Sequence, residues 1–225
     1  MRALFRVGAV PILFLTLLVS GAASQEASSN APAAGRDIVG LLEKVGREAS
    51  GFKTLRTSFV QEKRLAVFKN TVVLKGRIVL QKPDSIAWHV SSPVRYSVVL
   101  SSSSIRQWDE DTNSVQTISL AKNPVLQNVL GQLSVWFSGE YKPLLKDFDV
   151  TLLREAPLAF RFSPKGNAMA AKIIRDIEIE FRGDRKYLQS IAIHELSGDS
   201  TVITFSDTEF NVPLDAREFE VKPRV

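Results

Sequence analysis

Two short runs that alternate in step on either side of a proline corner limit what this chain can become. In Leu74 to Val90, LKGRIVLQKPDSIAWHV, the residues Leu74, Gly76, Ile78 and Leu80 alternate with Lys75, Arg77, Val79 and Gln81. After the corner, Ile86, Trp88 and Val90 alternate with Ser85, Ala87 and His89. A period of two assigns each set to one face of a β-sheet, with Trp88 as a large apolar group on the buried or lumen face. Lys82-Pro83-Asp84 makes the corner, because proline fixes φ and gives up a backbone donor, while aspartate accepts local backbone hydrogen bonds. A hairpin in an ordinary sandwich core would show the same alternation, so the pattern fixes the element and leaves the architecture open.

The amino-terminal residues read as an export signal. Arg2 and Arg6 precede an almost wholly apolar run, Val7 to Val19, and the small residues Ser20 to Ser24 suit cleavage after Ala23. The run is shorter than a bilayer requires and is broken by Pro11, so residues 1–23 are predicted to be a signal peptide and the periplasm is the expected address. Residues 24–35, SQEASSNAPAAG, hold too little apolar surface to pack and are predicted to be a disordered lead-in. The ordered domain is expected over residues 36–225. With no cysteine there is neither a disulfide nor a thiol for an acyl anchor, so a soluble mature protein is expected. A chain of 225 residues that is 44% hydrophobic and 24% charged can bury one sizeable core. The net charge of +5 is scattered and accompanies no helix-turn-helix, zinc-finger or RNA-binding signature, which argues against nucleic acid as a partner.

Taken in order, the chain opens with an N-cap at Asp37 and the helical spacing of Ile38, Leu41, Leu42 and Val45, ending near Ser50-Gly51. A first strand is expected from Leu55 to Phe68, then the proline-cornered hairpin. Tyr96, Val98 and Leu100 alternate against Arg95, Ser97 and Val99; Ile105 to Asp109 returns with Trp108, and Val115 to Leu120 follows. One helical insertion breaks the meander. Asn123-Pro124 is an N-cap with proline at the first helical position, and Leu126, Val129, Leu130, Leu133, Trp136 and Phe137 share one helical face up to Ser138-Gly139. Such a helix either plugs the open end of a sheet as core or forms a movable lid over a ligand cavity. A second helical piece is expected at Lys142-Pro143. Strands resume at Phe148, Leu158, Ile173, Tyr187 and Thr201, with a final edge segment from Phe219 to Val221. The expected fold is mainly β: an incomplete, strongly curved antiparallel barrel of about ten or eleven strands, with an N-terminal helix and an inserted helical lid, a sandwich being the alternative.

The sequence offers little for catalysis. Its two histidines, His89 and His194, stand in no HExxH-like spacing, so no metal site is expected. His194 and Glu195 point to opposite faces of a strand and are not a preset acid/base pair. Asp109, Asp111 and Asn113 have the spacing of the first calcium-loop ligands, but Ser114 and Leu120 stand where that loop needs glycine and glutamate, so an acidic hairpin turn is expected. Neither a nucleophile elbow nor a phosphate-binding glycine loop occurs. No cofactor is expected.

Several of these segments resemble those of a known family. Leu55 to Gln61 (LRTSFVQ), Gly76 to Trp88 (GRIVLQKPDSIAW), Pro93, Ile105 to Asp109 and Ser114-Val115 are similar, in order and spacing, to segments of the periplasmic outer-membrane lipoprotein carrier (LolA) family. The resemblance implies a half-barrel whose apolar cavity holds the acyl chains of lipoproteins in transit from the inner to the outer membrane. It further implies an inner-membrane ABC-type lipoprotein release complex as donor, an outer-membrane lipoprotein receptor as acceptor, a monomeric carrier and no enzymatic activity. The acyl-binding residues expected are Ile78, Leu80, Ile86, Trp88, Val90, Val98, Leu100 and Trp108 on the sheet, with Leu126, Leu130, Leu133, Trp136 and Phe137 on the lid. The family's arginine before proline, which holds the lid, is Lys82 here, a point charge in place of a planar fork. A related carrier of another lipid or acylated cargo, or a lipoprotein-sensing regulator, is the alternative.

Overall fold

The computed structural model describes residues 37–68, 70–122 and 135–222. One helix, α1 (Ile38–Ser50), precedes eleven strands: β1 (Thr54–Arg64), β2 (Val72–Gln81), β3 (Ser85–Ser92), β4 (Tyr96–Leu100), β5 (Ser104–Asp109), β6 (Val115–Ser119), β7 (Phe148–Glu155), β8 (Leu158–Pro164), β9 (Ile174–Phe181), β10 (Leu188–Glu195) and β11 (Ser200–Phe210). All eleven form one sheet in the order β6-β5-β4-β3-β2-β1-β11-β10-β9-β8-β7. Every pairing is antiparallel. The two edges, β6 and β7, are consecutive in the chain, so the sheet stays open at one seam and the inserted segment connects its two lips.

Helix α1 begins where its sequence says it should: the Asp37 carboxylate accepts from the Gly40 N–H at 2.8 Å, satisfying one of the first-turn donors. Its stripe of Leu42, Val45 and Ala49 is buried against the concave side of the sheet. Residues 135–138 are helical, and the turn after them crosses α1 closely. Gly139 has φ +81, and a Cβ there would lie 3.0 Å from the Ala49 carbonyl carbon; a Cβ on facing Gly46 would lie 2.9 Å from the Gly139 oxygen. Two glycines are therefore what lets these two covers touch.

Two expected elements change. β1 ends at Arg64, because Phe68 N–H donates to Leu65 O and turns the chain, leaving Val67 and Phe68 exposed. The expected Phe219–Val221 strand is replaced by a 3-10 turn, Ala216–Phe219. Its cause is a capping box: the Asp215 carboxylate accepts from Arg217 N–H at 2.9 Å, and Asp215 N–H donates to Glu218 at 3.2 Å. The Lys142-Pro143 piece is helical where expected, as a 3-10 turn, Lys142–Lys146.

Candidate functional site

The register of the first half-sheet gathers the expected residues on one face. Leu80 lies beside Ile86, which lies beside Leu100, and Ile78, Trp88 and Val98 form the next rung. Ile78, Leu80, Ile86, Trp88 and Val90 belong to the main core, with Val98 and Leu100 partly buried against it. Trp136 and Phe137 lie in the same core, while Leu126, Leu130 and Leu133 fall outside the described residues.

Trp108 is a correction. It pairs with Ser97, which pairs with His89, so it occupies the opposite, convex face. There it packs with Val79, Ala87, Val99 and Val221. Its indole N–H donates to Asn113 Oδ1 at 3.2 Å within the acidic turn, where Asp109 accepts from the Thr112 N–H and hydroxyl at 2.8 and 2.7 Å. Size suggested the cavity; parity across three strands sets the face.

The far half of the sheet supplies large interior groups that sequence reasoning did not assign to the site. Phe148, Phe160, Phe162, Phe181 and Phe205 all face inward from β7, β8, β9 and β11. The same period-two alternation could have found them. Two adjacent cover residues join the halves. The Trp136 ring meets Phe148 and Phe162 edge-on, with centroids at 5.8 and 4.8 Å, while Phe137 meets Trp88 and Phe205 at 5.9 and 6.1 Å. Phe59 stacks obliquely on Trp88 at 4.5 Å. The absence of a side chain at Gly76 makes room for it, since a Cβ there would lie 2.9 Å from the Phe59 ring. The concave face is thus occupied by the chain's own aromatic side chains.

Lys82 is expected to clasp the inserted helix, of which residues 123–134 lie outside the described residues. Its ammonium donates to Ser50 O, the carboxyl end of α1, at 2.7 Å and sits 4.5 Å from the centre of the Phe52 ring. Among the described residues the clasp therefore holds α1 and not the inserted helix. The corner itself is hung on the same segment by Lys82 N–H to Lys53 O at 2.9 Å. Burial pushes the Lys82 ammonium down from the ordinary lysine value, and Glu140 pulls the other way. The ammonium, whose three donors are not fixed in a plane, supplies one charge-assisted bond at the negative end of the helix.

Outside this face, Asp176, Glu178 and His194 place ligand atoms within 4.8 Å of one another. Their charges are already matched: Asp176 accepts from Arg175 at 2.9 Å and pairs with His194 at 2.6 Å, and Glu178 accepts from Arg161 at 2.7 Å. A surface cavity of about 880 Å³ lies at the β1/β11 irregularity, lined by Arg56, Ser58, Arg77, Arg182, Gln189 and Thr208 among others. Arg56 is committed to Glu218 and Glu209, and Arg182 to Asp184. No helix among the described residues is long and apolar enough to cross a membrane.

The outer membrane lipoprotein carrier protein LolA family model matches residues 50–222. The chain belongs to this family. A carrier from Coxiella burnetii (strain CbuK_Q154), named outer-membrane lipoprotein carrier protein, is 22% identical over 149 residues, 66% of each chain. One of the same name from Chromohalobacter salexigens is 23% identical over 146 residues, 64% of this chain and 65% of that one. The chain thus matches just under two thirds of these relatives' length. Among solved structures, an uncharacterized conserved protein from Thermus thermophilus aligns with TM-score 0.52 at 8% identity, covering 84% of this chain and 96% of that one. MucB aligns with TM-score 0.50 at 12% identity, covering 84% and 64%. These two likenesses concern the fold alone.

Proposed function

We propose that this LolA-family chain is a non-enzymatic periplasmic carrier, exported on residues 1–23. Residues 36–225 form the carrier domain, which buries the acyl chains of lipoproteins against the concave face. Donor and acceptor would be an inner-membrane ABC-type release complex and an outer-membrane receptor. The observation that carries the reading is the pair Trp136 and Phe137, which fill the concave face by ring contacts to both halves of the sheet. Such contacts are apolar and weakly directional, so an acyl chain can replace them at little net loss, each buried methylene being worth roughly 0.8 kcal/mol. Export without such shielding would leave lipidated cargo on its membrane. A carrier of another acylated cargo is the second reading, favoured by Lys82 in place of an arginine fork.

The three tryptophans make the test internal. Trp88 and Trp136 lie in the concave core, Trp108 in the convex cluster. In single-tryptophan variants, a fatty acid brominated on its chain, which quenches only near contact, is expected to quench Trp88 and Trp136 and to leave Trp108 unchanged. Equal quenching of all three, or none in a folded protein, would exclude the concave face as the acyl site. Mass spectrometry of lipid co-purifying from the periplasm separates the two cargo readings.

A further inference from the structure

We propose that Tyr187 is the polar anchor of this site, its phenol hydroxyl donating to the carbonyl oxygen of an ester- or amide-linked acyl chain. The inference rests on the carrier reading and adds the chemical group the interior recognises: acylated cargo is selected over ether-linked or bare hydrocarbon.

Tyr187, immediately before β10, is 1% exposed. Among the described residues its hydroxyl is the one buried side-chain nitrogen or oxygen that has no hydrogen-bond partner. Native interiors leave few such groups, because an unmet donor forfeits its hydration and gains nothing in return. Phenylalanine would fill the ring position without that loss. The hydroxyl is therefore explained by a state of the protein in which it meets an acceptor.

The surroundings indicate where that acceptor enters. The Tyr187 ring is walled by Phe52, Phe205 and Phe210, with centroids at 6.1, 5.8 and 5.9 Å. Phe52 follows the end of α1, and the Lys82 ammonium that lies against its ring is the group bound to Ser50 O. One wall of the aromatic box thus adjoins the clasped end of α1. A second phenol, Tyr141, is 2% exposed on the segment that crosses α1. Burial pushes the pKa of both phenols up, and Tyr141 feels the charge that Tyr187 would carry, so both stay protonated donors throughout the physiological range. An acyl carbonyl offers two lone pairs to donors of this kind, and an alkyl chain offers none. Sites built to hydrogen-bond a ligand reject the analogue that lacks the partner.

The test is isothermal titration calorimetry of the folded protein with 1-palmitoyl glycerol and its ether analogue, 1-O-hexadecyl glycerol. The unsubstituted protein is expected to bind the ester about tenfold more tightly than the ether. Tyr187→Phe should lose that preference while keeping its ether affinity, and without ligand it should melt no lower than the parent. Equal affinity of the parent for both lipids, equal loss of both in the variant, or a lower melting temperature would overturn the proposal. Failure of the parent to bind either lipid would overturn the carrier reading and this inference with it, an outcome distinct from binding without discrimination.

Discussion

On β2 to β5 alternate residues build two apolar faces, and the two are covered in different ways. The concave face, with Ile78, Leu80, Ile86 and Trp88, is covered by α1 and the segment from residue 135 mainly through edge-on rings, with lysine contacts at its margins: Lys82 to Ser50 O at 2.7 Å, Lys165 to Leu145 O at 2.8 Å and Lys142 to Glu43 at 3.1 Å. The convex face, with Val79, Ala87, Val99 and Trp108, is covered by the C-terminal segment around Val221. That segment is fastened by directional polar contacts: Arg56 to both Glu218 oxygens at 3.0 and 2.7 Å, Arg106 to Phe219 O at 2.9 Å, and His89 Nε2 to Glu218 O at 2.7 Å. A cover held by apolar contact can be exchanged for a ligand of equal polarity; one held by bidentate and backbone hydrogen bonds cannot be displaced without leaving those groups unpaired. On the proposed carrier reading, the concave cover is the one an acyl chain would displace.

The sharpest way to break this comparison is to truncate one tryptophan on each side. Trp136→Ala and Trp108→Ala should each lower stability by about 3–5 kcal/mol, read by urea denaturation, because both rings are buried. Only Trp136→Ala should change affinity for an acyl probe, and it should tighten it, because the chain's own side chain no longer competes for the face. Tighter binding in Trp108→Ala as well, or unchanged binding in Trp136→Ala, would remove the distinction between the covers.

How much of this was legible in the sequence depended on the range of the signal. The Asp37 cap and the Lys82-Pro83-Asp84 corner are local chemistry, and both are where the residues say. Which face a residue occupies is also local within one hairpin. It becomes unreliable once strands are counted across turns of unknown length, as Trp108 shows: one residue of slip reverses the face. The β1–β11 pairing that brings Phe52, just before β1, beside Phe210 and Tyr187 joins residues far apart in the chain, and alternation names no partner strand. The unpartnered hydroxyl of Tyr187 had no sequence signal at all, since an inward tyrosine and an inward phenylalanine share one pattern. Family resemblance singled out the Lys82 position but carried no sign of its bond to Ser50 O, which follows from where α1 ends.

A smaller effect is expected at that clasp. Replacing Lys82 by leucine removes one charge-assisted bond to a half-buried carbonyl, worth about 1 kcal/mol after screening. Hydrogen exchange by mass spectrometry should show the last turn of α1 and Phe52 exchanging about fivefold faster, with the convex C-terminal segment unchanged. Lys82→Arg should slow exchange in the same peptide, since the guanidinium can present more than one donor to the helix end. Faster exchange confined to the segment after residue 135 would return the clasp to the insertion.

The smallest effect is expected on the convex side, and it depends on pH. His89 is half-buried; its Nε2 lies 2.7 Å from Glu218 O and its Nδ1 2.8 Å from Ser97 Oγ. A carbonyl only accepts, so Nε2 carries the proton, and in the neutral ring Nδ1 accepts from the Ser97 hydroxyl. Protonation would remove that acceptor. Burial lowers the His89 pKa below its ordinary 6.5, with the Glu218 carbonyl opposing and the Arg77 charge assisting. The unfolded chain therefore binds the proton first, so folding stability is fully present above about pH 6.5 and is lost as pH falls through the depressed folded value. Glu218 and Asp215 are held below the usual carboxylate range by Arg56 and Arg217, so what they contribute is lost only at more acidic pH. Urea denaturation at pH 7.5 and pH 5.5 should show the parent losing more stability on acidification than His89→Gln, with acyl-probe affinity the same in both. If acidification weakens probe binding in the parent and His89→Gln abolishes that change, the two faces are coupled through β3, and the convex seal is part of the moving cover.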